Sequence, residues 1–271
     1  MNLFYRKIGI GPPLIMLHGL FGSSDNWMHI ARALEDSFTI YLPDLRNHGR
    51  SPWSDLHGYD AMAEDVIEFA ERLGLDRYFI AGHSMGGKTA IYCAIKNPDS
   101  LLGLLVADIS PFTYEPGGPA EDQHRKVLEA MTTTDPSKFK DRVELEKHLA
   151  SVAGEDITRY ILSKNISYEA GKLRWRLNVA SVSSNIHRLL EGYPRPPEMP
   201  GLVAGFPVIF LKGSESLYIS EKDIPDIVRV FPGARILTAE GAGHWIHTEK
   251  PDAVISALLE LKALSRWEES N

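Results

Sequence analysis

The sequence predicts an α/β protein: a mostly parallel sheet flanked by helices, with a helical cap inserted before the last two strands. Three observations predict it. Short apolar runs such as Leu14–Leu17, Leu101–Ala107 and Val208–Leu211 are bounded by turn residues, the pattern of strands buried on both faces. These runs alternate with amphipathic stretches of helical spacing, as parallel strands joined by crossover helices do. The alternation stops near Ser110 and resumes at Val208, between the breaker clusters Tyr114–Pro119 and Gly192–Pro197.

Taken in order, Asn2–Ile8 reads as a strand closed by Gly9–Pro13, and Leu14–Leu17 as a buried strand ending at His18 and Gly19. Asp25–Glu35 reads as a helix and Phe38–Leu42 as a strand closed by Pro43 and Asp44. Tyr59–Leu73 is a helix, because Met62, Val66, Phe69, Ala70 and Leu73 share one face, and Gly74 stops it. Tyr78–Ala81 is a strand, Ser84 to Lys96 a helix ending before Pro98, and Leu101–Ala107 another strand. Within the insertion, Leu145, Leu149 and Val152 fall on one helical face, and Ile157 and Ile161 on another. The alternation returns with strand Val208–Leu211, helix Lys222–Val230, strand Ile236–Thr238 and helix Asp252–Leu264. The expected division is therefore a core of residues 1–111 and 207–271 with a cap of residues 112–206.

A chain of 271 residues fits one large domain carrying an insertion. A net charge of −7 argues against a general nucleic-acid binder, which carries a basic face. The single cysteine, Cys93, excludes an internal disulfide; set in the apolar Ile91–Ile95, it reads as a buried thiol suited to a reducing compartment. Met1–Lys7 lacks the apolar region of a signal peptide, and no apolar run is long enough for a bilayer. The expectation is a cytoplasmic protein without a membrane or nucleic-acid partner. The ten histidines show no metal-ligand spacing, so neither metal nor cofactor is expected.

The stretch Ala81–Ala90, "AGHSMGGKTA", fits two motifs. As G-x-x-x-x-G-K-T over Gly82–Thr89 it reads as a phosphate-binding loop, with Lys88 on phosphates, Thr89 on a metal, and Asp108 at the end of an apolar strand as the metal's second holder. As G-x-S-x-G it reads as a strand-to-helix elbow presenting Ser84. The elbow reading uses clusters the other leaves idle. A serine nucleophile needs a base, the base needs a partner that fixes its tautomer, and the attacked carbonyl needs donors aimed at its developing charge. His244, in the Gly-flanked loop "GAGHW", is the natural base. The N–H of Met85, at a helix N-terminus, and that of Leu20, after His18-Gly19, are the natural donors. Phe21 and Trp245 would border the substrate.

With "HGLFGSSDNW", "DLRNHGRS", "GHSMGGK", "VADISP" and "GAGHWIHTEKPDAV" in this order, the sequence resembles the α/β-hydrolase superfamily, and within it the YbfF-type bacterial esterases, relatives of a mitochondrial abhydrolase-domain protein. The likeness covers both core segments and reaches the cap only through Lys172–Asn178. It implies a Ser…acid…His triad and hydrolysis of small-molecule esters or thioesters, acyl-CoA included, through an acyl-enzyme. Most of the superfamily places its acid in a Gly-x-x-Asp pattern after the strand that follows the insertion. Here that place reads Gly213-Ser214-Glu215-Ser216, so the acid is sought at Asp108, with Glu215 as the other candidate. His18, His83, His48 and His247 read as bracing residues. Lys172, Arg174 and Arg176 read as a solvated basic stripe, with coenzyme A phosphates as the other use. Within the fold, the same side chains would also serve a C–C bond hydrolase; outside it, the rivals are an NTPase and a receptor that does no chemistry. Oligomeric state is not encoded in any motif.

Asp108→Asn is expected to lower kcat by about four orders of magnitude, as loss of a triad acid does, and Glu215→Gln to leave it near the wild-type value. Steady-state turnover of an aryl ester by the two variants checks the choice.

Overall fold

The structure, a computed structural model, describes residues 1–114, 119–155, 158, 165–198, 203–265 and 267. Its centre is a seven-stranded sheet of order β1-β3-β2-β4-β5-β8-β9. The strands are β1 (Tyr5–Ile8), β2 (Pro13–Leu17), β3 (Thr39–Pro43), β4 (Tyr78–His83), β5 (Leu101–Ala107), β8 (Val208–Gly213) and β9 (Arg235–Ala239). Only β1 runs antiparallel to its neighbour; the other pairings are parallel. Alternation along each strand divides the core between the two faces. Ile15 and Leu17 of β2, with Leu104 and Val106 of β5, pack on one side. Leu14 and Met16, with Leu105, pack on the other. Every residue of β4 and β5 is buried, which is why Phe79–Ala81 and Leu101–Ala107 read as apolar runs.

Register positions the site. His83 pairs with Ala107, and Ala107 with Leu211. Ser84 and Asp108, one step beyond, therefore leave neighbouring strands at the same rung. Their N–H groups extend the ladder once more, Ser84 to the Ala107 carbonyl at 3.0 Å and Asp108 to that of Leu211 at 2.9 Å. Helices α1 (Met28–Ala33), α2 (Tyr59–Arg72) and α3 (Met85–Lys96) join the first strands. The helix expected over Asp25–Glu35 is shorter and begins as a 3-10 turn at Ser24–Trp27, which turns Trp27 into the core.

The segment between β5 and β8 is not wholly helical, contrary to the sequence expectation. Beside α4 (Pro119–Thr133) and α5 (Arg142–Ala153) it carries a hairpin of β6 (Ile166–Glu169) and β7 (Lys172–Trp175). Ala170 and Gly171 turn it, both with positive φ. This is the backbone of a tight hairpin turn, reached here without the Asn-Gly pair that announces one. Leu145 and Leu149 are buried as expected, but Val152 is 56% exposed; Ile157 and Ile161 lie outside the described residues.

The two ends of this segment meet over α3. Phe112 bridges Tyr193, and the Tyr114 N–H donates to the Leu190 carbonyl at 3.0 Å. Lys88 of α3, fully buried, donates from Nζ to the carbonyls of Phe112 (3.0 Å) and Glu191 (2.8 Å), one on each crossing segment. The rings of Tyr114 and Tyr59 face the ammonium at 4.6 and 5.4 Å. Two carbonyls and two ring faces are what a desolvated cation needs, and burial still pushes Lys88 down to about 7.

Candidate active site

β4 enters α3 through a turn tight enough to dictate its sequence. A side chain on Gly82 would lie 2.2 Å from the Gly86 carbonyl oxygen, and one on Gly86 would lie 2.4 Å from that of Leu17. Glycine at both positions lets α3 start directly against β4 and the end of β2. Ser84, between them, takes φ 53 and ψ −121, a left-handed conformation that costs a side-chain-bearing residue about 1–3 kcal/mol. Among the described residues five that are not glycine have positive φ, and three of them stand here: Phe21, Ser84 and Asp108. The strain is concentrated where the strands end.

Ser84 Oγ donates to His244 Nε2 at 3.0 Å, and His244 Nδ1 donates to Asp108 Oδ2 at 2.7 Å. His244 reaches this place from the loop after β9. The buried His83 donates from Nε2 to the His244 carbonyl at 2.7 Å, which anchors that loop to the strand bearing Ser84. Asp108 Oδ1 accepts from the Gly213 N–H at 3.0 Å, and Oδ2 accepts from the Ser216 hydroxyl as well. Burial pushes the Asp108 carboxyl up to about 6, against the opposing pull of the Ser216 and Gly213 bonds. Burial, with His124 and His247 nearby, pushes His244 down, so its imidazole is neutral at neutral pH and can accept a proton. Glu215 is exposed and is not among the groups that bond His244.

The other residues singled out in the sequence fall around this trio. Leu20 and Phe21 occupy a turn closed by the Gly22 N–H on the Gly19 carbonyl at 3.0 Å. A side chain on Gly19 would stand 3.3 Å from Ser84 Cβ, so the turn passes directly beside the serine. Met85 opens α3, where N–H groups lack partners within the helix. Phe21 is buried and its carbonyl accepts from Asn165 at 2.9 Å. Trp245 is half-buried, its ring 6.3 Å from that of His244. His18 braces the edge, accepting the Leu45 N–H at Nε2 and donating from Nδ1 to the Gly19 carbonyl. His48 donates to the Arg46 carbonyl, and Arg46 ties its loop to Asp65 of α2 at 2.6 Å. Arg174 and Arg176 line an open cavity of about 1000 Å³ with Arg50, Trp53 and Trp175. Ser84, His244, Leu20 and Met85 do not line it.

Sequence reasoning missed three neighbours of this trio. Tyr218 stacks on the His244 ring with centroids 3.7 Å apart and planes 16° from parallel, and the Tyr114 hydroxyl holds the Tyr218 carbonyl at 2.8 Å. Ser216 occupies the place where the superfamily pattern expects an acid and hydrogen-bonds the acid supplied from β5 instead. His124 of α4 lies against Phe21 with ring centroids 6.0 Å apart. All three follow the carboxyl end of a strand, Ser216 and Tyr218 after β8 and His124 in the insertion after β5.

The phosphate-loop reading of Gly82–Thr89 does not survive. Lys88 points into the crossing of the inserted segment, the Thr89 hydroxyl donates to the Met85 carbonyl at 2.9 Å, and Asp108 is committed to His244, Ser216 and Gly213. Among the described residues no helix is long and apolar enough to cross a membrane.

Comparison with known proteins agrees with the geometry. Residues 12–251 match a family model described as alpha/beta hydrolase fold. The sn-1-specific diacylglycerol lipase ABHD11 of Xenopus laevis is 37% identical over 256 residues, covering 92% of this chain and 79% of that protein. Esterase YbfF of Escherichia coli is 32% identical over 250 residues, 91% of each chain. A solved structure described as a marine microorganism esterase superposes with a TM-score of 0.90 at 42% identity, covering 96% of this chain and 99% of that one.

Proposed function

The chain belongs to the alpha/beta hydrolase fold family, and from that premise we propose that it hydrolyses carboxylic esters through an acyl-enzyme on Ser84. The observation that carries the reading is the unbroken chain of hydrogen bonds from Ser84 Oγ through His244 to Asp108. His244 Nε2 takes the hydroxyl proton as Oγ attacks the carbonyl carbon. Asp108 holds the imidazole in the tautomer with Nδ1 protonated and stabilises the imidazolium that forms. The N–H groups of Met85 and Leu20 receive the oxyanion, and the field at the α3 N-terminus favours its charge. His244 then passes its proton to the departing alcohol. A water attacking along the same path restores Ser84. Phe21 and Trp245 border the acyl carbon, and residues 112–206 act as the cap that shapes the pocket. The substrate is a small molecule, and the buried Cys93 suits a cytoplasmic setting.

Thioesters of coenzyme A are the finer reading. What supports it is the cavity holding Arg50, Arg174 and Arg176 beside two tryptophans, a lining that suits phosphates and an aromatic base. Replacing Arg174 and Arg176 together by Ala is expected to raise KM for an acyl-CoA by about tenfold while leaving a simple ester of the same acyl group within twofold. An equal change in both would count against the coenzyme A reading.

Incubation with a fluorophosphonate is expected to add one adduct, mapped by mass spectrometry to Ser84 and absent in His244→Ala. An unmodified wild-type protein would overturn the nucleophile assignment. The rate also has a predictable acid limb. Asp108 must be ionised and His244 neutral, so kcat/KM is expected to be level above neutral pH and to fall as pH drops through about 6, where the buried carboxyl protonates. The Ser216 bond holds that carboxyl down, so Ser216→Ala is expected to move the limb toward neutral pH. A limb that stays in place would remove Ser216 from the mechanism.

A further inference from the structure

We propose that His124, on the cap helix α4, is a substrate-contacting residue that hydrogen-bonds a neutral oxygen on the alcohol side of the scissile ester. The proposal deepens the reading of Ser84 as an esterase nucleophile and rests on it.

Its first support is position. His124, Val127, Leu128 and Met131 recur at the spacing of one face of α4. Val127, Leu128 and Met131 are all buried, so His124 is a polar residue heading an apolar stripe. Its ring lies against that of Phe21, next in the chain to the proposed oxyanion donor Leu20. It is also close enough to His244 to bear on that ring's charge. His124 therefore overlooks the reacting atoms from the cap, between the Gly19–Gly22 turn and the imidazole that delivers a proton to the leaving alcohol.

Its second support is an open valence. Among the described residues, neither ring nitrogen of His124 has a hydrogen-bond partner. The ring is half-buried, so a molecule bound beside it meets an open donor and an open acceptor. Pockets of this kind are apolar with a few placed polar groups that fix orientation; His124 is such a group.

Its third support is charge. Burial pushes His124 down to about 4, so at neutral pH the ring offers one N–H donor and one lone pair and no net charge. That chemistry suits a hydroxyl or ether oxygen, and gives no charge attraction to a carboxylate or phosphate. The ester's carbonyl oxygen is taken by Leu20 and Met85. The oxygen left to His124 belongs to the alcohol that departs beside His244, which makes the favoured substrates esters of glycols or polyols with a free hydroxyl next to the ester.

The test compares two isosteric pairs in the intact protein. Hydroxyethyl and propyl butanoate differ by one hydroxyl on the alcohol. Ethyl 3-hydroxybutanoate and ethyl 3-methylbutanoate differ by one on the acyl group. Wild type is expected to prefer the hydroxyethyl over the propyl ester by about five- to tenfold in kcat/KM, the discrimination worth one hydrogen bond. His124→Phe is expected to bring that ratio to about one, and His124→Gln, which keeps a donor and an acceptor, to retain most of it. The acyl-side ratio is expected to be the same in all three. A ratio taken within one preparation does not depend on how much of a variant is folded, and the Ser84 adduct verifies that the elbow is intact. An alcohol-side ratio unchanged in His124→Phe, or a loss on the acyl-side ratio instead, overturns the proposal while leaving the nucleophile assignment standing. Wild type with neither turnover nor a Ser84 adduct overturns both.

Discussion

The close approach of α3 to the ends of β2 and β4 is the constraint on which the rest of the site depends. Two positions without side chains, Gly82 and Gly86, let backbone meet backbone, and that contact forces Ser84 into a left-handed turn. The same turn places Ser84 Oγ at the carboxyl end of β4, 3.0 Å from His244 Nε2, and starts α3 at the next residue. Ser84 and the helix field therefore arrive together. The cost of the strained φ is offset by the apolar burial of β4 and β5, where side chains such as Phe79, Ile80, Leu104 and Leu105 contribute their transfer from water.

Around that turn, parallel register does the positioning. Because His83 pairs with Ala107, the residues after β4 and β5 emerge side by side, and the histidine that joins them need only come from one nearby loop. Its place is fixed from several directions: Asp108 on Nδ1, Ser84 on Nε2, His83 on the carbonyl, and the Tyr218 ring on its face. Low exposure then sets the charges. A desolvated imidazole stays neutral until a proton is pushed onto it, and the carboxylate beside it stabilises the cation at that moment.

The inserted segment is tied to this machinery through Lys88. Its ammonium bridges the incoming and outgoing segments of the insertion from the helix that follows Ser84. Tyr114, whose ring faces Lys88, reaches on to the Tyr218 backbone, and Tyr218 stacks on His244. A lysine that the local pattern associates with phosphate thus serves as the joint between the inserted segment and α3. Burial decides between the two uses, since a fully enclosed ammonium bonded to two carbonyls has no reach left for a ligand.

The sequence by itself determined the strand–helix alternation, the place where it is interrupted, and the elbow at Ser84, because buried parallel strands and close-packed turns each require residue types that few other structures tolerate. Ser84, Asp108 and His244, which hydrogen bonds join in the structure, were legible for that reason: each lies in a short motif that follows a strand. The tertiary structure decided between the two carboxylates the sequence offered, and it is Asp108, not Glu215, that faces His244. Asp108 and Ser216 are 108 positions apart and meet only because β5 and β8 pair. It alone turned Lys88 inward, folded Ile166–Trp175 into a hairpin without a turn dipeptide to announce it, and brought Tyr218 and His124 to the site. Such contacts are set by which surfaces pack together across the chain, and no local pattern of spacing or propensity carries that information.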